Sequence, residues 1–392
     1  MKRFSVIALA AMMGSSLAVH AGDSIHPGEI WPDNNGKHIN AHGGGILEDN
    51  GTYYWYGEHK SDSTSRALVG VTCYSSTNLS DWTDRGVALQ VVDIPGHDIE
   101  RGCVLERPKV VKNPLTGKYV MWFHLELKDK GYSAARYAVA VADSPEGPFR
   151  YLRSGRVLPG VYPANMTLDE RNSAASLERL EQPWKEAWSD GWRADVRAGL
   201  FNARDIEKGQ MARDQTVFVD DEGKAYHIFP SEENLTLVIA ELSNDYTSHT
   251  GKYIRVAPGD QNEAPAIFHK DGKYWLITSG CTGWDPNEAR MYSADSIWGP
   301  WTRHPNPCRG DNAALTFGGQ STFILKVPGQ DANGNAEPAA DTYLFMADIW
   351  RPKHPSDTRY VWLPITFDQE GTPEIEWRNN WKPSDFISGK GK

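Results

Sequence analysis

Apolar and polar residues alternate in short runs along most of the chain, and Gly, Pro, Asn and Asp bound the runs. One phrase recurs five times: a Gly or Asp turn, then Tyr, then aromatic and apolar residues. The copies begin at Gly51, Gly117, Gly223, Gly272 and Asp341, as in Gly51-Thr-Tyr53-Tyr-Trp-Tyr and Gly272-Lys-Tyr274-Trp-Leu-Ile. Alternation with period two predicts β-strands, and a repeated supersecondary unit predicts stacked or radial copies. Each phrase follows one short strand and precedes others. The pattern therefore predicts an all-β chain, a five-bladed β-propeller of three- to four-stranded blades. A β-sandwich with coincidental repeats is the competing architecture.

One stretch breaks the period. Gly117 and Gly223 lie 106 residues apart, against 49 from Gly223 to Gly272. The excess, about residues 160–210, is rich in helix formers (Asp169-Glu-Arg-Asn172, Leu177-Glu-Arg-Leu180, Trp184-Lys-Glu-Ala-Trp188). It predicts a partly helical insertion between blades two and three, either over the substrate face or as a brace on the rim.

Composition narrows the class. The 392 residues include 15 Trp, 16 Tyr, 12 Phe, 36 Gly and 24 Pro, which suits short strands, tight turns and an aromatic groove. Formal net charge is −10, which argues against nucleic acid or an anionic membrane as partner. Met1-Lys-Arg3, an apolar run from Phe4 to about Met13, and Val19-His-Ala21 predict a secretory signal over residues 1–21 and a single domain over 22–392. With no cysteine near the cleavage site, a secreted or periplasmic protein without a lipid anchor is expected, and a monomer. Export permits disulfides among Cys73, Cys103, Cys281 and Cys308; Cys281–Cys308, within one repeat, is the expected pair, with free buried thiols as the alternative.

The candidate chemistry sits at the strand heads. In a propeller the innermost strand of each blade starts near the axis. The five heads read His42-Gly43, Glu106-Arg-Pro108, Asp214-Gln-Thr216, Glu263-Ala-Pro265 and Gln320-Ser-Thr322. Three carboxylates and an amide should thus converge at one mouth of the channel. Crowded like charges raise one another's pKa, so one carboxyl should stay protonated near neutrality and serve as a general acid for glycosidic bond cleavage. Arg213 and Arg107 are possible structural partners for Asp214 and Glu106, and His42 is either a site residue or a buried, bonded histidine. Nucleophile-elbow, Walker, zinc-protease and EF-hand motifs are absent, so neither a metal nor a cofactor is expected.

Taken in order, these residues resemble glycoside hydrolase family 43, and more closely its exo-β-1,3-galactanase subgroup. The matching segments are Asn40-Ala-His-Gly-Gly-Gly45, Tyr54-Trp-Tyr-Gly-Glu58, Glu106-Arg-Pro-Lys109, Arg213-Asp-Gln-Thr216, Ser231-Glu-Glu-Asn234, Thr278-Ser-Gly-Cys-Thr-Gly-Trp284, Gly318-Gly-Gln-Ser321 and Arg359-Tyr-Val-Trp-Leu-Pro364. The resemblance implies an inverting exo-glycosidase that releases galactose from β-1,3-galactan or arabinogalactan oligosaccharides. It implies Glu263 as general acid, Asp214 as the tuning and orienting carboxylate, and Glu106 as a further pocket carboxylate. The family's blade-one Asp is replaced by His42-Gly43. Water activation is then expected from Gln320, as an imidic-acid tautomer or as a water-positioning amide with Glu106 taking the proton. Glu58, Tyr132, Asn234 and Thr282 match sugar-contact positions. Trp284 and Trp55 are candidate stacking faces, Trp55 equally a core residue. An arabinofuranosidase or galactofuranosidase on the same fold, and a non-catalytic sugar-binding propeller, are the alternatives.

Overall fold

The computed structural model describes residues 23–172, 188–329 and 341–387, with the isolated residues 177, 180 and 337. The expected signal segment 1–21 and residues 184–187 of the insertion lie outside the described residues. Five sheets form; in four the strands are antiparallel and pair in chain order, and the fifth adds one short parallel strand, Cys308–Arg309, on its outer edge. Blade one runs from His42–Asp49 to Thr83–Gln90, blade two from Val104–Lys112 to Arg150–Gly155, and blade three from Thr216–Val219 to His249–Val256. Blade four runs from Glu263–Lys270 to Thr302–His304, and blade five from Gln320–Val327 to Pro373–Glu376. The predicted five-bladed β-propeller is the fold.

Closure uses both ends of the described chain. Ile25 bridges to Trp381, and Trp31 sits edge-on to Trp55 and Trp362 with centroids at 6.2 and 4.9 Å. Trp55 is 1% exposed in this aromatic cluster between blades one and five, so it is core and offers no sugar-stacking face. The expected Cys281–Cys308 bond is not formed, and all four cysteines are free. The reason is topological. On leaving blade four, the chain gives Cys308–Arg309 to blade five as a parallel strand on Pro373–Glu376, whereas Cys281 stays at the head of blade four.

The recurring Tyr does structural work at the foot of the blades. Tyr119 of blade two donates to Asp49 of blade one at 2.6 Å, and Tyr343 of blade five donates to the His269 carbonyl of blade four at 2.9 Å. The heads, at the other end, are re-aimed by β-bulges. Pairing shifts register between His42 and Gly45, Glu106 and Lys109, Glu263 and Ala266, and Ser321 and Phe323. In blades one, two and four the residue after the head takes a left-handed conformation: Gly43 at φ 59°, Arg107 at 56° and Ala264 at 51°. Pro108 and Pro265 follow where the ladder has lost a donor, so proline is tolerated there and the head side chain turns toward the axis.

The insertion is helical where described, at Leu168–Asn172, Asp190–Arg197 and Leu200–Asp205. Ser189 caps the second helix by accepting from the Trp192 amide. Arg255 fastens the insertion to blade three: it grips Glu232 through Nε (2.8 Å) and Nη2 (2.9 Å), and Nη2 also donates to the Val196 carbonyl. The insertion thus braces blade three and also reaches the strand-head face.

Candidate active site

The heads open onto a cleft of ≈ 340 Å³ walled by Glu58, Lys60, Glu106, Arg107, Tyr132, Asp214, Glu263, Trp284, Gln320 and Trp350. A second lobe of ≈ 500 Å³ adjoins it, sharing Tyr132, Asp214, Glu263 and Gly283 and adding Trp188, Arg213, Asn234 and Thr282. Apart from His42 and Trp55, the sequence-predicted site residues therefore meet on one composite cleft. A further cavity, ≈ 440 Å³, lies toward the foot of the channel among Val110, Phe218, Ile267 and Phe323, and has none of this chemistry.

His42 is fully buried beneath the cleft, stacked on Tyr360 and bonded to its hydroxyl at 3.1 Å. Burial, with nearby Lys60, drives its pKa well below the ordinary value, so it is a neutral packing residue that does not line the site.

Glu263 is held for acid chemistry. Its Oε1 accepts from Asn234 Nδ2 at 2.8 Å. Burial and then the neighbouring Asp214 charge push its pKa up to about 7, against the opposing pull of Arg107, Cys281 and Arg213. Asp214 pairs with Arg107 Nη2 at 2.9 Å; Arg213, its sequence neighbour, instead binds Glu233 at 3.2 Å.

Glu106 has the opposite electrostatics. Its two oxygens bind His124 Nδ1 at 3.1 Å and the Tyr132 hydroxyl at 2.8 Å. Burial would raise this carboxyl, but the His124 bond and charge, with Lys60 and Tyr132, outweigh it and hold the pKa at about 2. His124 is a buried imidazolium: burial disfavours its charge, yet Glu106 on one nitrogen and Glu126 on the other raise it to about 9. Glu126 is fixed in turn by the Ala134 and Ala135 amides at 2.8 and 2.9 Å. Ligand atoms of Glu106, His124 and Asp214 lie within 4.8 Å of one another, a spacing that would suit a metal ion. With both His124 nitrogens protonated and spoken for by carboxylates, this trio lacks a free imidazole lone pair.

Gln320 is locked as an amide. Its Oε1 accepts from Arg107 Nη2 (2.5 Å) and Trp350 Nε1 (2.8 Å), and its Nε2 donates to Ser279 Oγ at 2.9 Å. Arg107 and Trp350 only donate, so the orientation is set by chemistry. An imidic-acid form would place a proton on an oxygen already facing two donors, so these surroundings oppose that tautomer.

Arg107 is the hub that sequence reasoning treated only as a partner of Glu106. Besides Asp214 and Gln320, it donates to the Ser321 carbonyl and lies 5.4 Å from the Trp350 ring centroid, while its amide donates to Glu58 at 2.9 Å. Glu58 is buried against Lys60 at 2.5 Å. Below them Asp348 accepts from the Gly43 amide at 2.6 Å, and burial raises its pKa to about 7 despite the Gly43 bond and Arg107. His124, Asp348, Trp350 and Lys60 were missed, and the wider role of Arg107 with them. One signal was available: the head of each first strand pairs with the last residues of the second, as Glu106 with His124 and Gln320 with Asp348.

Known proteins share this fold and much of the sequence. A solved family 43 β-1,3-galactosidase, in complex with galactodeoxynojirimycin, is 55% identical, with 91% of this chain and 100% of that chain covered and a TM-score of 0.83. The chain belongs to glycoside hydrolase family 43. A profile of glycosyl hydrolases family 43 also matches residues 191–332. An exo-β-1,3-galactanase from Clostridium thermocellum is 33% identical over 94% of this chain and 67% of that one, at a TM-score of 0.73. A curated β-D-galactofuranosidase from Aspergillus niger is 29% identical over 126 residues, and the match spans only 36% of its length. This family 43 propeller is thus a glycoside hydrolase, similar over its length to β-1,3-galactosidases and exo-β-1,3-galactanases.

Proposed function

We propose that the protein is an exported exo-β-1,3-galactanase that releases galactose from β-1,3-galactan with inversion. The observation that carries the reading is the split between two carboxyls in one aromatic-walled cleft. Glu263, with its pKa pushed up to about 7, keeps a large protonated fraction near neutral pH, and Glu106 stays ionised. Environments that push two carboxyl pKa values apart assign acid and acceptor roles. The relatives' names supply the sugar, and the apolar N-terminal run Phe4 to Met13 supports export.

In this reading Glu263 protonates the glycosidic oxygen as the bond from it to the anomeric carbon breaks. Water forms the new bond to that carbon from the opposite face and gives its proton to Glu106. Asp214 keeps Glu263 protonated until that moment, and Arg107 balances the charge. Gln320 Nε2 stands 3.4 Å from Glu263 Oε2. An inverting pair keeps about 6.5–9.5 Å between its carboxyls. Gln320 is therefore a fixed donor beside the acid, which leaves Glu106 as the ionised carboxylate to take the water's proton. Gln320→Ala should slow turnover through disorder of the site, whereas Glu106→Gln should abolish it; a Glu106→Gln enzyme with normal rate would refute the assignment. The galactofuranosidase similarity gives a second reading, tested by offering β-galactofuranosides alongside β-1,3-galactobiose.

A further inference from the structure

We infer that the insertion builds the subsite for the leaving sugar, with Trp188 as its stacking platform for a β-1,3-linked galactosyl unit. The inference rests on the galactanase reading and assigns the two lobes that meet at Glu263.

A terminal sugar gripped by an exo-enzyme must have each hydroxyl satisfied, and charged groups do this best. Such groups concentrate in the smaller lobe: Glu58, Lys60, Glu106 and Arg107. The terminal galactose belongs there. The leaving sugar then lies across Glu263, in the larger lobe walled by Trp188, Arg213, Asn234 and Thr282.

Trp188 is suited to receive it. It is 42% exposed, yet it is not loose: its indole N–H donates to the Glu233 carbonyl at 2.8 Å, and its backbone is left-handed at φ 61°. Glu233 is itself clamped by Arg204 and Arg213, each at 3.2 Å. An exposed aromatic ring fixed by its polar edge presents a rigid apolar face at small entropic cost. Asn234 provides an independent sign of a ligand. It is 5% exposed and lines this lobe; Nδ2 is bonded to Glu263, and Oδ1 has no partner. A sugar hydroxyl is the donor it lacks. Glu232, Glu233 and Asn234 are three successive left-handed residues (φ 51°, 59°, 64°), a costly turn that the insertion's Arg204 and the blade's Arg255 and Arg213 hold in place.

The test is calorimetric titration of the acid-disabled Glu263→Gln protein with galactose and with β-1,3-galactobiose, with and without Trp188→Ala. The expected result is about a tenfold loss of affinity for the disaccharide only, with galactose unchanged. Trp188→Phe, which keeps a ring but loses the N–H that fixes it, should recover part of the loss. Equal weakening of both sugars, or no change for either, overturns the subsite. A Glu263→Gln parent that binds neither sugar would instead sink the galactan reading, and the subsite with it.

Discussion

At Glu263 the balance of burial against charge sets the chemistry. Desolvation and Asp214 favour the proton, while Arg107, Cys281 and Arg213 oppose it. The acid must be protonated to act, so kcat/KM should fall as pH rises through about 7. Glu263→Gln should lower kcat by about 10²–10⁴-fold with substrate binding nearly unchanged; an unchanged rate would remove Glu263 from the mechanism. Glu106 works in the opposite sense. Its depressed pKa depends on protonated His124, so an acceptor ionised above about 2 is expected throughout the working range. In His124→Asn the acidic limb of kcat/KM should move upward toward the ordinary carboxyl value. A limb that stays put would show that His124 does not set Glu106.

The bulges at the strand heads turn a regular sheet into a site. Gly43 shows the constraint most sharply. At φ 59°, a Cβ there would fall 2.3 Å from Glu58 Oε1 and 3.3 Å from Arg107 Cδ. Gly43→Ala should therefore cost at least about 1–2 kcal/mol from the backbone alone, and lower activity by displacing Glu58. Denaturant melts alongside kinetics check this, and a neutral change on both counts would show that the bulge is more compliant than described. The blades were legible in the sequence because each strand's alternation is local, and the heads were legible because carboxylates begin strands. Arg107, His124, Asp348 and Trp350 were not, because they matter through cross-strand and cross-blade partners. His42 shows the converse error: its place at a head is local, but the bulge and Tyr360 draw it beneath the floor. Cys281 and Cys308 likewise share a repeat in sequence yet serve different blades.

Across the whole molecule, the ring is closed by the first and last described segments. Trp31, 8% exposed, joins Trp55, Tyr360 and Trp362, with Tyr360 also binding Ile39, Ala41 and His42. Trp31→Ala should cost about 3–5 kcal/mol and lower Tm, because a large aromatic is removed from a packed seam. Activity per folded molecule should persist, since Trp31 does not line the cleft. The same closed ring keeps five heads on one axis, and so lets residues more than 200 positions apart, such as Arg107 and Gln320, share a bond. Inverting release of galactose can be followed by proton NMR of β-1,3-galactobiose hydrolysis in the first minutes. α-Galactose is the expected initial product, relaxing later to the anomeric mixture. An initial β-anomer, or no turnover by the folded protein, would contradict inverting release.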